Sequence, residues 1–223
     1  PHPEIWVWDG ADNNERRRAL FPGYKIRDYT GQEDIFAGLQ LYREILAYSK
    51  AIQIEVPLWE ADDVCATLAT RYASQGEQIE IFTNDFDFHQ LHANPLIKIK
   101  GMSPVEGVSP QHVSLYKALR GDSSDKIPGL PGFGIKTWVK LAGSYDTLNQ
   151  MLRDRDAASL RAFDGWRPSH KVWLADDENV ELLFIYYQIT QMLDVPIEEI
   201  EKHTYPGVNN PAGAEKLFER FKL

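Results

Sequence analysis

One cysteine in 223 residues, Cys65, excludes an internal disulfide and any cysteine-rich zinc site. Long apolar runs are missing as well. No window approaches the ~18 uninterrupted apolar residues of a membrane span, and no secretory signal opens the chain. There is no internal repeat and no low-complexity tract. These absences fit a cytoplasmic globular protein, and the length suits one compact unit or two small ones sharing a core. Positive charge is scarce too: 24 Lys and Arg stand against 33 Asp and Glu, a net charge of −9. Such a balance disfavours nucleic acid unless the acidic residues are concentrated in one place.

What is present is ample material for a core: 43% hydrophobic residues, with 6 Trp, 10 Tyr and 10 Phe. Ile5-Trp6-Val7-Trp8 reads as a buried strand ended by Asp9-Gly10. Apolar residues at helical spacing (Ile35, Leu39, Tyr42, Ile45, Leu46) predict a helix through Tyr48, and Ile52–Val56 alternates like a strand. Glu60-Ala61-Asp62-Asp63 opens a helix to about Tyr72; 78–83 and, more weakly, 97–100 read as further strands. Strands alternating with helices predict an α/β fold with a mostly parallel sheet flanked by helices. Ser109-Pro110 then starts a helix through Leu119, a Gly/Pro loop runs from Ile127 to Gly134, and 138–193 is mostly helical. The chain thus divides into an α/β core over 1–106 and a helical region over 107–223.

Chemistry is expected at the carboxyl ends of parallel strands. Asp9 and Asp85 each follow a strand, and Glu60, Asp62 and Asp63 follow a third. With Asp87, Asp122 and Asp125 they make eight carboxylates. Oxygen donors at this density suit Mg²⁺ or Mn²⁺ rather than zinc. Two such ions would clamp the attacking and leaving oxygens of a phosphoryl displacement. Any single member alone reads more readily as a turn or cap residue, and Glu60, Asp62 and Asp63 also favour a helix N-terminus, so the joint pattern is what carries weight. Glu60 and Asp62 can converge only if Glu60 lies at the helix entry, since positions two apart do not share a helix face. Setting the eight aside moves the formal charge from −9 to −1, so the remaining surface does not oppose DNA.

Four motifs in order complete the reading: Trp8-Asp9-Gly10 with Tyr24-Lys25-Ile26-Arg27; Glu60-Ala61-Asp62-Asp63; Thr83-Asn84-Asp85-Phe86-Asp87; and Gly121-Asp122-Ser123-Ser124-Asp125-Lys126-Ile127-Pro128-Gly129 running into Gly132-Phe133-Gly134-Ile135-Lys136. In these the sequence resembles the phage 5′-nucleases, related to flap endonucleases and to the 5′-nuclease domain of bacterial DNA polymerase I. The likeness covers roughly residues 5 to 150. It implies a PIN-like nuclease core and a helical DNA-binding region with a helix–loop–helix element. Asp9, Glu60, Asp62 and Asp85 would belong chiefly to a first metal, and Asp87, Asp122 and Asp125 to a second, with Asp63 close by. Lys25 and Arg27 would hold the scissile phosphate and offset transition-state charge. Arg16, Arg17 and Arg18 would contact phosphates. Tyr24 and Tyr29 would either stack on an unpaired base or pack.

The resemblance further implies that Gly132, Gly134, Lys126 and Lys136 grip duplex DNA. Glycines allow close phosphate approach, and the loop could hold K⁺ through its carbonyls. Substrates would be DNA with a 5′ end or 5′ flap, or an RNA–DNA hybrid, cut by a monomer in replication or recombination. The short stretch between Arg27 and Ile35 would favour exonuclease action. His112, His170 and His203 show no ligand spacing; His89 and Gln90, and Phe184, Tyr186 and Tyr187, read as packing residues. The family's first strand carries another aspartate, which Pro1 and His2 cannot supply, so weak activity is expected of the chain as it stands. A PIN-type ribonuclease and a non-catalytic DNA-structure-binding protein are the alternatives; the Gly/Pro loop argues against the first, and the missing aspartate suggests the second.

Overall fold

Parallel strand pairs, the arrangement expected from the alternating pattern, organise the first half of the computed structural model, which describes residues 3–103 and 105–221. The elements there are β1 (Ile5–Trp8), α1 (Glu15–Leu20), α2 (Glu33–Ala47), β2 (Ile52–Glu55), α3 (Ala61–Ser74), β3 (Ile79–Phe82) and β4 (Ile97–Lys100). Helices dominate thereafter: α4 (Val113–Arg120), α5 (Ile135–Lys140), α6 (Tyr145–Arg153), α7 (Ala157–Ala162), α8 (Pro168–Leu174), α9 (Asp177–Ile189) and α10 (Ile197–Lys202), then β5 (Thr204–Pro206) and α11 (Pro211–Phe221). Pro1 and His2 lie outside the described residues. Among the described residues no helix is long and apolar enough to cross a membrane.

The contacts group the chain into two units. One comprises Pro1–Asn13, Arg27–Cys65 and Asp194–Leu223. Its sheet has the order β1-β2-β5, with β1 parallel to β2 from Ile5↔Ile52 to Trp8↔Glu55 and β5 antiparallel to β2. The parallel register matters because β1 and β2 then end on the same edge, so the segments bearing Asp9 and Glu60 leave from one side. Aromatic packing ties α2 to this sheet: Tyr42 meets Trp6 edge-on with ring centroids 5.1 Å apart, and Arg43 lies over Trp8 while pairing with Glu55. Gln53 in β2 accepts from Trp8 Nε1 at 3.0 Å and donates to Arg43 O at 3.1 Å.

The second unit comprises Asn14–Ile26 and Ala66–Leu193. Here β3 pairs in parallel with β4, and Ala69 and Ala73 of α3 pack on that pair with Ile79, Ile81, Ile97 and Ile99. A larger core joins α4 to α9, with Leu115, Leu119, Trp138, Leu148, Leu160 and Leu183 fully buried. Phe184, Tyr186 and Tyr187 are buried there, as packing residues. Burial of such side chains, at roughly 1.5–3 kcal/mol each, is what secures this helical unit.

Candidate active site

In the first unit the chain turns sharply after β1. Gly10 N donates to Trp59 O at 3.1 Å, and a Cβ on Gly10 would lie 1.9 Å from Val56 O. Only glycine admits that approach, and it fixes Asp9 beside the start of α3. Asp9 Oδ1 accepts from Ala61 N at 2.9 Å. Because α3 begins at Ala61, Glu60 does sit at the helix entry, which is the condition for Glu60 and Asp62 to converge. Glu60 and Asp63 are buried, at 4% and 1% exposure, while Asp9 is exposed. The negative field of this set registers on Cys65: burial pushes its thiol up to about 12, and the charges of Asp62 and Asp9 add to the rise.

In the second unit Asp85 ends the turn after β3 and caps the 3₁₀ segment Phe86–Ala93, its Oδ1 accepting from Asp87 N at 2.9 Å. Asp87, Asp122 and Asp125 converge on one ammonium. Lys117 Nζ pairs with Asp87 Oδ1, lies 2.8 Å from Asp122 Oδ2 and 3.2 Å from Asp125 Oδ2, and its side chain is only 6% exposed. Asp125 Oδ1 also lies 3.8 Å from Lys25 Nζ. The Asp122 loop is closed by reciprocal 2.8 Å hydrogen bonds between Asp122 and Ile127. Gly121 and Gly129 interlock beneath it: both have positive φ, and a Cβ on Gly129 would meet Gly121 N at 2.3 Å.

Asp87 and Asp122, which share this cation, shift in opposite directions. Burial pushes Asp87 up to about 6, against the pull of Lys117 and with the help of Asp85 and Asp125. Burial also opposes ionisation of Asp122, yet the charge of Lys117 and hydrogen bonds from Lys117 and Ser124 bring it down to about 2. For Lys117 itself, burial is outweighed by Asp87, Asp125 and Asp122, and the amine is held protonated well beyond the usual lysine range. One positive charge satisfies Asp122 and leaves Asp87 short.

Lys117 carries no weight in the sequence reading. The signal that would have found it is a lysine on a helix whose neighbours Val113, Leu115, Tyr116, Ala118 and Leu119 are all core residues, placed just ahead of an acidic loop. A buried lysine needs anionic partners. Other expectations shift with the geometry. Arg17 is buried, donating to Ile189 O and Gln191 O at 2.9 Å each, so it acts as a clamp where a phosphate contact was expected. Arg18 donates to Tyr24 O at 3.0 Å and Lys25 O at 2.9 Å; it anchors the Lys25 loop, where Lys25 has a φ of 46°. Of the two readings of Tyr24, packing holds, since it is 2% exposed in the core, whereas Tyr29 is exposed. Arg16, Arg27, Lys126 and Lys136 are exposed. Gly132 and Gly134 have open space where a Cβ would project. His89 packs as expected, hydrogen-bonded to Val108 O at 2.8 Å. Among the described residues no three or more His, Cys, Asp or Glu side chains stand arranged as a ready metal site.

Two family models match the chain: the N-terminal resolvase-like domain of 5′-3′ exonucleases over residues 1–117, and the C-terminal SAM fold of 5′-3′ exonucleases over residues 108–210. The chain belongs to the 5′-3′ exonuclease family. It is 30% identical over 208 residues to DNA polymerase I of Bacillus subtilis, covering 86% of this chain and 23% of that protein. It is 32% identical to DNA polymerase I of Deinococcus radiodurans, covering 93% of this chain and 22% of the relative. With the 5′-3′ exonuclease of Aquifex aeolicus the identity is 26%, over 89% of this chain and 68% of that one. The chain therefore spans under a quarter of the polymerase relatives. The T5 D15 protein, crystallised with metal ions, shares the fold with a TM-score of 0.58 at 14% identity, over 98% of this chain and 83% of that structure. The family is generally divalent-metal dependent.

Proposed function

We propose that this chain is a divalent-metal-dependent nuclease that hydrolyses DNA phosphodiester bonds from 5′ ends or at 5′ flaps, in replication or recombination. The observation that carries the reading is the grouping of carboxylates in each unit: Asp9, Glu60, Asp62 and Asp63 on the segments that leave the parallel strands β1 and β2, and Asp85 and Asp87 on the segment that leaves β3, with Asp122 and Asp125 of the loop after α4 meeting Asp87 at Lys117. Hard oxygen donors of this kind fit Mg²⁺ or Mn²⁺. Ions held there would acidify a bound water and neutralise charge on the phosphate. In hydrolysis a water's oxygen would join phosphorus and give up its proton to solvent, the P–O bond to the leaving nucleotide would break, and the leaving oxygen would take up a proton.

The chain's own residues would do the positioning. Lys25, held by Arg18 and Asp125, and the exposed Arg27 would bind the non-bridging oxygens of the scissile phosphate. Gly132, Gly134, Lys126 and Lys136 would grip the duplex backbone, where K⁺ could also bind, and Arg16 would add a phosphate contact. On this reading residues 1–106 supply the nuclease core and 107–223 the DNA-binding region, acting as a monomer in the bacterial or phage-infected cytoplasm. An RNA–DNA hybrid is a further substrate on this reading.

End-labelled cleavage of a 5′ flap, a nicked duplex and an RNA–DNA hybrid in Mg²⁺ or Mn²⁺ tests the proposal. Wild type should release 5′-terminal fragments and Asp85→Ala should lose nearly all activity. Equal cutting by Asp85→Ala would put the site elsewhere. Binding in EDTA with no cleavage in either metal would favour a non-catalytic DNA-structure-binding protein.

A further inference from the structure

Asp87, Asp122 and Asp125 come from two separate segments, yet their oxygens meet at a single point, the ammonium of Lys117. Oxygens at 2.8 and 3.2 Å from Nζ, with a third in direct ion pairing, form an oxygen cage around a cation. Carboxylate oxygens are the donors a hard divalent ion takes, though with the ammonium among them they do not stand as a ready metal site. The charges do not balance: three carboxylates face Lys117 and, 3.8 Å from Asp125, Lys25. Lys117 is the one charged side chain among the buried residues of α4; the others are apolar except Ser114, whose hydroxyl bonds Gln90 and Thr190. Lysine carries its charge on a flexible four-carbon stem and can leave without unwinding α4.

We propose that Lys117 is a tethered cation standing in for a divalent ion among Asp87, Asp122 and Asp125, and that metal binds this set only as the lysine withdraws. The inference rests on the proposed metal-dependent function and names the residue that sets the metal affinity of one carboxylate group. In the metal-free protein Lys117 holds the three side chains in register and prevents their mutual repulsion. When a divalent ion arrives, the ammonium is a like charge at contact distance and is expelled. Lys117 is thus a positioning residue, keeping the second set assembled but weakly occupied until the ion concentration is sufficient.

Calorimetric titration of the full chain with Mn²⁺, without nucleic acid, tests this directly. Lys117→Met removes the charge while keeping the stem's bulk. It should bind Mn²⁺ at least about tenfold more tightly than wild type, the like charge at contact being gone. Asp122→Asn placed on the Met variant should abolish the gain. A folded Lys117→Met protein that binds Mn²⁺ no more tightly than wild type overturns the proposal. Amine labelling of wild type with acetic anhydride, read by mass spectrometry, does not depend on any variant folding. Lys117 should be protected in EDTA and acetylated when Mn²⁺ saturates the protein; protection unchanged by bound Mn²⁺ overturns the proposal equally. Absence of Mn²⁺ binding by wild type and variant alike would reject the metal-dependent function itself, whereas binding without tightening or exposure rejects only the role of Lys117.

Discussion

Asp9 Oδ1 accepts a 2.9 Å hydrogen bond from Ala61 N, so the carboxylate ending β1 also satisfies an orphan amide at the start of α3. One side chain therefore carries a structural role and a proposed metal-binding role, and the two can be separated. Asp9→Asn retains an acceptor oxygen and should keep stability within a few tenths of a kcal/mol, while Asp9→Ala should lose about 1 kcal/mol. Both should weaken cleavage by at least about a hundredfold, since even outer-shell partners of a metal are worth up to that much. Chemical denaturation paired with the flap assay checks both. Full activity in Asp9→Asn would reduce Asp9 to a cap.

Cys65 reports on the same carboxylates. With its thiol pushed up to about 12 by burial and by Asp62 and Asp9, the thiolate is scarce at pH 8. Alkylation by iodoacetamide in EDTA should run roughly a thousandfold slower than for an ordinary free thiol. Asp62→Asn removes one of the opposing charges and should speed it several-fold. A wild-type rate equal to that of free cysteine would mean that the negative field at this helix start is absent.

The strands were legible because β1 to β4 are short apolar runs or clean alternations closed by Asp, Gly, Asn or, after β2, Pro57. The motifs of Asp9, Glu60 and Asp85 were legible because each comes after such a strand, whereas Asp122 and Asp125 follow helix α4 and were legible only as a motif. What stayed hidden is pairing at long range. Nothing in the string Arg16-Arg17-Arg18 distinguishes a solvated cation from one buried against Ile189 O and Gln191 O, more than 170 residues away. For Tyr24 the sequence leaves base stacking and packing both open, and the distant α4 to α9 core claims it. Lys117 was passed over because periodicity sorts residues into apolar and polar faces, and a lysine buried among carboxylates belongs to neither. The antiparallel β5 was also unreadable: three residues with no apolar run are defined only by pairing with β2.

His170 is fully buried between Phe133 of the Gly/Pro loop, at a centroid distance of 5.6 Å, and Trp166 at 5.9 Å. Burial, with the charge of Arg167, lowers its pKa, while a carbonyl contact at Pro131 works the other way. The neutral ring is thus the folded form. A lowered folded-state pKa means the stability is present above the ordinary value of 6.5 and is lost as pH falls below it, toward the folded-state pKa. Thermal melts of wild type should drop as pH falls below about 6.5, and His170→Phe should flatten that drop. Identical pH profiles for the two would show that another group governs acid unfolding.

Arg17 and Lys136 are both basic residues expected to meet DNA, but their environments predict opposite phenotypes. Arg17 donates to two carbonyls from a buried position. Removing it leaves both acceptors without their charged donor, so Arg17→Ala should cost about 3 kcal/mol in denaturant unfolding. Lys136 is exposed on α5 beside the open faces of Gly132 and Gly134. Lys136→Ala should leave the unfolding midpoint unchanged. Its affinity for a nicked duplex, measured in EDTA, should fall several-fold, and the salt dependence of binding should lessen by about one counterion. The slope is the decisive quantity, because a phosphate contact releases counterions and a packing contact does not. An unaltered slope in Lys136→Ala would remove the Gly/Pro loop from the duplex-binding surface, whatever the change in affinity.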